Sequence, residues 1–372
     1  PLSRPILPDR TRIPHKCSCI CLPACRRGWR NNSTLSGSLR GALAPTDMAE
    51  LTLVDAVTAA LDWELGHDES VVVLGEDVGV NGGVFRATNG LQRKHGEDRV
   101  IDTPLAEAMI AGMAVGMAAE GLKPVAEIQF MGFIYPAVDQ LINHAARLRN
   151  RTRGRLSCPM VLRAPFGGGI HAPEHHSEST EAMFAHMPGL RVVIPSSPAR
   201  AYGLLLAAIR DPDPVVFLEP KRIYRLARQE VANDGAALSL DVCYTLREGT
   251  DVTLVSWGAM TQETLEAADR LQAEGVSAEV IDVATISPLD IETILESVAR
   301  TGRLVIVHEA PRNCGVGAEI AALVAEHGIY DLKSPVQRVA GFDTIMPLYR
   351  LEMDYLPGVT RILDAVHVTL EG

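Results

Sequence analysis

The sequence predicts an α/β protein with parallel sheets and two domains. From Met48 onward, short β-branched runs alternate with helical patterns. The strand runs are continuously apolar, as in Val71-Val-Val-Leu74, and this marks strands covered by helices on both faces. The alternation breaks once, over the mixed and turn-rich residues 221–250, before a second set begins. A chain of 372 residues suits two such units, so residues 48–235 and 245–372 are expected as domains, with residues 1–47 outside them.

In the first domain, residues 52–65 read as a capped helix and 71–74 as a buried strand, followed by the acidic turn Gly75-Glu-Asp-Val-Gly79. Residues 105–120 form a helix, with Thr103 as its cap and Pro104 suited to its first position. A strand at 124–130, a helix at 136–150 and a strand at 159–163 lead into a Gly-rich loop through Gly169. A short helix at 178–187, a strand at 190–194, a helix at 198–210 and a strand at 214–218 complete the set. Asn233-Asp-Gly235 reads as a turn. In the second domain the strands are expected at 251–255, 276–283, 304–307 and 336–339. Its helices fall at 261–274, stopped by Gly275, and at 291–299, 318–327 and 359–370.

Composition narrows the class. Apolar residues make up 47% and charged residues 22%, an ordinary globular balance, and the longest apolar run (109–119) is too short to span a bilayer. The net charge of −11 argues against nucleic acid as a partner. Residues 1–47 depart from this average, with eight Arg and Lys against two Asp, four cysteines (Cys17, Cys19, Cys21, Cys25) and no hydrophobic periodicity. They read as a disordered leader or upstream extension, with a transit peptide and a metal-binding cluster as competing readings. The prolines oppose an amphipathic helix, and C-x-C-x-C-x3-C is not a usual zinc spacing. Cys158, Cys243 and Cys314 are scattered, as in a reducing compartment. The expected location is cytoplasmic, or the mitochondrial matrix if the leader is a transit peptide.

Four features can carry chemistry. Glu107 places one carboxylate at the start of an apolar segment, where an unpaired buried acid is costly. Read locally, it faces the positive helix end and solvent. Gly112 and Gly116, four apart on the same helix, allow a close backbone contact in a core or a subunit interface. Glu76 lies in the turn after a central strand, where open parallel sheets bind ligands; an ordinary polar turn is the alternative. The loop from Gly167 to Ser179 gathers His171, His175 and His176, which suits either a metal site or a catalytic histidine. The spacing matches no zinc signature. Finally, Asp211-Pro-Asp213 ends a helix, where freed carbonyls and Asp211 can hold a cation or simply stop the helix. No dinucleotide fingerprint, Walker loop or nucleophile elbow is present.

A set of segments, in order and spacing, carries a resemblance. They are Leu74-Gly-Glu-Asp-Val-Gly79, Gly82-Gly-Val-Phe85, Asp102-Thr-Pro-Leu-Ala-Glu107, Ala126-Glu-Ile-Gln-Phe130 and Asp139-Gln140. With them go His176-Ser-Glu-Ser179, Pro188-Gly-Leu190, Ala208-Ile-Arg-Asp211 and Phe217-Leu-Glu-Pro-Lys221. Together they resemble the beta subunit of the thiamine diphosphate-dependent 2-oxo acid dehydrogenase first component, in the pyruvate and branched-chain group of the transketolase-like family. The resemblance runs from about Leu51 to the C-terminus.

It implies a parallel-sheet pyrimidine-binding domain of thiamine diphosphate enzymes followed by a transketolase C-terminal-like α/β domain. It also implies that Glu107 exchanges a proton with the pyrimidine ring nitrogen of the cofactor, and that Leu74, Glu76, Gln129 and Phe133 help to bind it. His176 would stand near the reacting carbonyl and help pass the acyl group to lipoamide. Met160, Ala208, Ile209, Asp211 and Asp213 match a potassium site made mostly of backbone oxygens. Phe133 stands where many relatives have tyrosine, keeping the ring and dropping a hydroxyl. Thr344-Ile-Met-Pro347 departs from a Thr-Pro-x-Pro pattern.

The Gly-Asp-Gly motif with which thiamine enzymes hold the diphosphate and magnesium is missing. The chain therefore resembles half of a site, with magnesium held mainly by an alpha subunit. The implied assembly is an α2β2 heterotetramer on a dihydrolipoyl acyltransferase core. Residues 217–225 lean towards a branched-chain substrate, while acetoin dehydrogenase beta subunits share the motifs. A non-catalytic assembly subunit of the same fold is the alternative from another class, and the presence of Glu107 and His176 counts against it.

Overall fold

The computed structural model describes residues 48–371. Residues 1–47, with the four cysteines and every reading placed on them, lie outside the described residues. The strands are β1 (Met48–Leu51), β2 (Val71–Gly75), β3 (Val100–Asp102), β4 (Lys123–Glu127), β5 (Val161–Phe166), β6 (Arg191–Val193) and β7 (Val215–Pro220). They continue with β8 (Gln229–Ala232), β9 (Tyr244–Arg247), β10 (Val252–Ser256), β11 (Ala278–Asp282), β12 (Thr285–Ser287), β13 (Leu304–Pro311) and β14 (Gln337–Gly341).

One sheet of seven strands runs β12-β6-β7-β5-β4-β2-β3, and a second of five runs β14-β13-β10-β11-β9. From β6 to β3 every pairing in the first sheet is parallel, so the carboxyl ends of β3, β2, β4, β5 and β7 emerge along one edge. In the second sheet only the edge strand β9 is antiparallel. β1 and β8 form a separate two-stranded ribbon.

The continuous apolar strands follow from helices on both faces. All of β2 is buried; Val71 and Val73 pack with Leu61 and Leu205, whereas Leu74 packs with Ile110 and Ala114 on the opposite face. The Leu53–His67 helix starts as its sequence indicates. Thr52 accepts from the Asp55 N–H at 3.3 Å, and the Asp55 carboxylate answers the Thr52 N–H at 3.1 Å.

Several elements differ from expectation. The helix expected from 105 spans Glu107–Ala119 with Ala106 as its N-cap, so Thr103 does not cap it. The Thr103 N–H instead donates to Gly75 O at 2.9 Å, a tertiary bond that holds the chain extended past Pro104. Residues 136–150 are not one regular helix. An α-helical turn at Tyr135–Asp139 widens to a π turn at Gln140–His144 and tightens to a 3-10 turn at Ala145–Arg147. There the Ala146 carbonyl lies where a Cβ on Gly189 would be, 2.2 Å away. The helix expected at 178–187 is confined to Glu181–Ala185. The second half also returns a strand to the first sheet, with β12 pairing antiparallel to β6 through Thr285 and Val193. No helix among the described residues is long and apolar enough to cross a membrane.

Candidate active site

The acidic turn after β2 is held from two sides. Gly79 N–H donates to the Asp102 carboxylate at the end of β3 at 2.6 Å, and Thr88 Oγ1 donates to Val78 O at 2.7 Å. Asp77, next to Glu76 in this turn, adopts a left-handed φ of 59°. Glu76 is half-buried, and desolvation pushes its carboxyl above the usual range, helped by the negative charges of Asp77 and Glu107. The two glutamates therefore share one field. Glu107 is the first residue of its helix, half-buried, where the helix dipole favours a carboxylate. Thr103 Oγ1 nearby is buried without a hydrogen-bond partner among the described residues, and Gln129 is half-buried.

β4 delivers the next group. Beneath it, Arg163 of β5 is 2% exposed and forks onto Glu219 of β7 at 2.7 and 2.8 Å. It also bonds Glu127, while the Tyr224 hydroxyl donates to Glu219 at 2.6 Å. This network pins the chain just before Gln129, Phe130 and Phe133. The turn Met131–Phe133 meets the turn Glu174–His176 so closely that a Cβ on Gly132 would lie 1.9 Å from His175 O. His176 is thereby set edge-on to Phe130 at 4.1 Å and to Phe133 at 5.3 Å between ring centroids. Burial, with the charges of His175 and Lys221, holds its pKa below the ordinary 6.5, and its Nδ1 is buried without a partner. His171 and His175 are exposed, and the described residues hold no group of three His, Cys, Asp or Glu placed to share a metal ion.

Comparison with known proteins gives the family. Residues 49–227 match the transketolase pyrimidine-binding domain and residues 242–362 the transketolase C-terminal domain. The pyruvate dehydrogenase E1 component subunit beta of Bacillus subtilis (strain 168) is 50% identical over 324 residues, 87% of this chain and 100% of that one. Its counterpart in Acholeplasma laidlawii is 52% identical over 315 residues, covering 85% and 96%. The chain belongs to the transketolase-like beta subunits of the 2-oxo acid dehydrogenase first component. A solved structure described as a split gene transketolase, inactive beta4 tetramer, shares the fold. Its TM-score is 0.71 at 23% identity, over 87% of this chain and 99% of that chain.

Not every expected site residue of this beta subunit lies with Glu107. Leu74 is fully buried in β2, bridged to Ile101 and Ala126, so only its main chain reaches the edge. The cation set lies elsewhere. Met160 and residues 211–213 directly precede β5 and β7, and Ala208 and Ile209 end the Pro198–Arg210 helix, at the amino edge of the same sheet. There Met160 O accepts from Val215 N–H at 2.9 Å, and Asp211 is 3.1 Å from Arg191 while accepting from Asp213 N–H at 2.8 Å. Asp213 meets Arg149 at 2.6 Å. The sequence reading missed Gly132, whose only signal is a glycine just past the Gln129-Phe130 pair. It also missed Lys221, Glu309 and Glu352, buried ionisable groups that the fold brings to the histidine loop.

Proposed function

We propose that this chain is the beta subunit of a pyruvate dehydrogenase first component. With an alpha partner it would carry out thiamine diphosphate-dependent oxidative decarboxylation of pyruvate and acyl transfer to lipoamide. One observation carries the reading: Glu107 and Glu76 meet at the carboxyl edge of the first sheet, where Gln129, Phe133 and His176 also emerge. Exposed Val80, Leu105, Met109 and Tyr135 flank them. Gly116, on the helix that Glu107 opens, has nothing within 4 Å of a built Cβ and leaves room for a second backbone.

The orphaned Thr103 Oγ1, with half-buried Glu107 and Gln129 near it, suits a polar ring bound at this edge. Glu107 would hold and exchange a proton at the pyrimidine nitrogen, with Gln129 and Phe133 beside the ring, Glu76 next to Glu107 and the Leu74 main chain beneath. When bound, thiamine diphosphate supplies the electron sink for loss of carbon dioxide. With its pKa below 6.5, His176 carries one N–H and one free lone pair at neutral pH. It can therefore give and take a proton as the acyl group passes on. Magnesium and the diphosphate fall to the alpha subunit, and the acyl acceptor to a dihydrolipoyl acyltransferase core.

Pyruvate is favoured over branched-chain acids because the relatives bear that name. The branched-chain lean of residues 217–225 also loses its physical basis. Phe217 and Leu218 are core, Glu219 is taken up by Arg163 and the Tyr224 hydroxyl by Glu219, so these side chains do not measure a substrate. Potassium at the amino edge would be structural, held by the carbonyls of Met160, Ala208 and Ile209 with Asp211 and Asp213.

The test is decarboxylation by this chain alone and co-expressed with its alpha partner, with thiamine diphosphate and magnesium, on pyruvate, 3-methyl-2-oxobutanoate and acetoin. Activity only in the co-expressed sample, highest on pyruvate, is expected. Silence on all three from a well-formed tetramer would overturn the reading in favour of a non-catalytic assembly subunit, and a preference for another substrate would reassign the enzyme.

A further inference from the structure

The loop that carries His176 opens on three glycines, and each faces the side chain of a different neighbour. A Cβ on Gly167 would lie 2.0 Å from Glu309 Oε1, on Gly168 2.6 Å from Met346 Cε, and on Gly169 2.1 Å from Arg222 Cδ. Gly167 and Gly169 are left-handed, with φ of 81° and 88°, and His171 follows with φ of 60°, a conformation that a residue with a side chain adopts only when held. What holds it is two carboxylates from the second half of the chain. Glu352 Oε1 accepts the Gly169 N–H at 2.7 Å, and its Oε2 accepts the His171 N–H at 2.8 Å and lies 2.9 Å from His171 Nδ1. Glu309 Oε2 faces the Gly168 N–H at 3.4 Å.

Both carboxylates are buried, Glu352 at 1% and Glu309 at 3% exposed, and the buried ammonium of Lys221, which has no hydrogen-bond partner, lies in their field. The loop is closed at its base by Gly167 N–H to Glu178 O at 3.0 Å and tightened at its tip by His176 N–H to Pro173 O at 3.0 Å. The tip then abuts Gly132. Between the clamped His171 and the His176 ring, Pro173 has a fixed φ and Glu174 and His175 lie in the hydrogen-bonded turn.

We propose that Glu352 is a positioning residue: with Glu309, and with Lys221 as counter-charge, it clamps the glycine stem and so sets His176 against Phe130 and Phe133. This rests on the acid–base reading of His176 given above. Sequence spacing hides the clamp, because Glu352 lies 183 residues beyond Gly169.

The experiment uses the assembled complex of this chain with its alpha partner. In the wild type, hydrogen exchange read on peptides covering 166–172 is expected to show these amides protected by at least about 10²-fold over an open chain. Glu352→Ala is expected to lose that protection and to lower kcat for acyl transfer from pyruvate to a free lipoyl domain roughly 10- to 100-fold, with the KM for pyruvate within about twofold. Glu352→Gln, which keeps one acceptor oxygen, is expected to retain part of both. The double variant Glu352→Ala/His176→Ala is expected to be no slower than His176→Ala alone, because the clamp acts through that ring.

Fast exchange of these amides in the wild type overturns the proposal, whatever the variants do. So does a Glu352→Ala enzyme within about twofold of wild-type kcat, or a double variant slowed by the product of the two single effects. If Glu352→Ala does not assemble, Glu352→Gln decides by the same split between kcat and KM. A His176→Ala enzyme with full activity would refute the acid–base reading instead, while the exchange result still judges the clamp.

Discussion

Replacing Arg163 with methionine tests how the first sheet is held beneath the site. Among the described residues Arg163 is the cation that bonds both Glu127 of β4 and Glu219 of β7, forking onto Glu219 at 2.7 and 2.8 Å; all three side chains are buried. Removing it leaves two carboxylates buried without their cation, a change that costs about 3–5 kcal/mol. The pH dependence has a definite sign. Burial already raises the pKa of Glu127 against the pull of Arg163, and without that pull it rises further. A carboxylate with a raised folded pKa costs stability progressively as pH rises above its unfolded pKa and in full above the folded one, so the penalty is larger near pH 8 than near pH 5.

Urea unfolding followed by tryptophan fluorescence measures this. With a denaturant slope of about 3 kcal/mol per molar, the midpoint should fall by about 1 M or more at pH 8 and by clearly less at pH 5. Adding Glu127→Gln and Glu219→Gln to Arg163→Met should recover much of the loss, because the uncompensated charges are gone. A midpoint shift below about 0.3 M at pH 8, or one independent of pH, would refute the assignment of this network as the support under β4.

Glu107→Gln should lower decarboxylation by about 10²- to 10⁴-fold while the heterotetramer still assembles, and near-normal turnover would sink the proton role. The acidic limb of acyl transfer should fall below pH 6.5, because burial and the neighbouring charges favour neutral His176; a midpoint at or above 6.5 in the kcat profile counts against it. Gly132→Ala puts a Cβ 1.9 Å from His175 O, so acyl transfer should drop roughly tenfold or more while the fold persists; unchanged rates would show that the two turns can part freely. Unfolding should need more urea in potassium than in sodium at equal ionic strength, and equal midpoints would remove the cation from the amino edge.

The legible features of the fold were those set by near neighbours. The apolar run of β2 and the capped start of the helix after Thr52 are local patterns, and they appear as read. β3 and β12 have three residues each, too few for any periodicity, and exist because an existing sheet edge accepts them. Thr103 shows a local rule losing to a tertiary bond: it satisfies the capping pattern, yet Gly75 O takes its N–H and the helix starts at Glu107. Glu107 could be singled out because an acid opens an apolar helix, and His176 because three histidines share one loop. Lys221 and Glu352 could not, because what distinguishes them is burial against each other's elements, and burial between two sheets leaves no local pattern.

The distribution of satisfied polar groups separates scaffold from site within the single chain. Arg163, Glu127, Glu219 and Tyr224 are buried as deeply as the core and bond one another, which is what a group kept for support must do. At the site proposed above, Thr103 Oγ1 and His176 Nδ1 are instead buried without a hydrogen-bond partner among the described residues. Those orphans stand on secondary structure that the Arg163 network, the Gly132 contact and the Glu352 clamp make rigid. Rigid orphans are what a site must keep for another molecule, because a flexible loop would fold back and satisfy them internally. The apolar side chains of Val80, Leu105 and Met109 around them give a second chain the surface on which to close that edge.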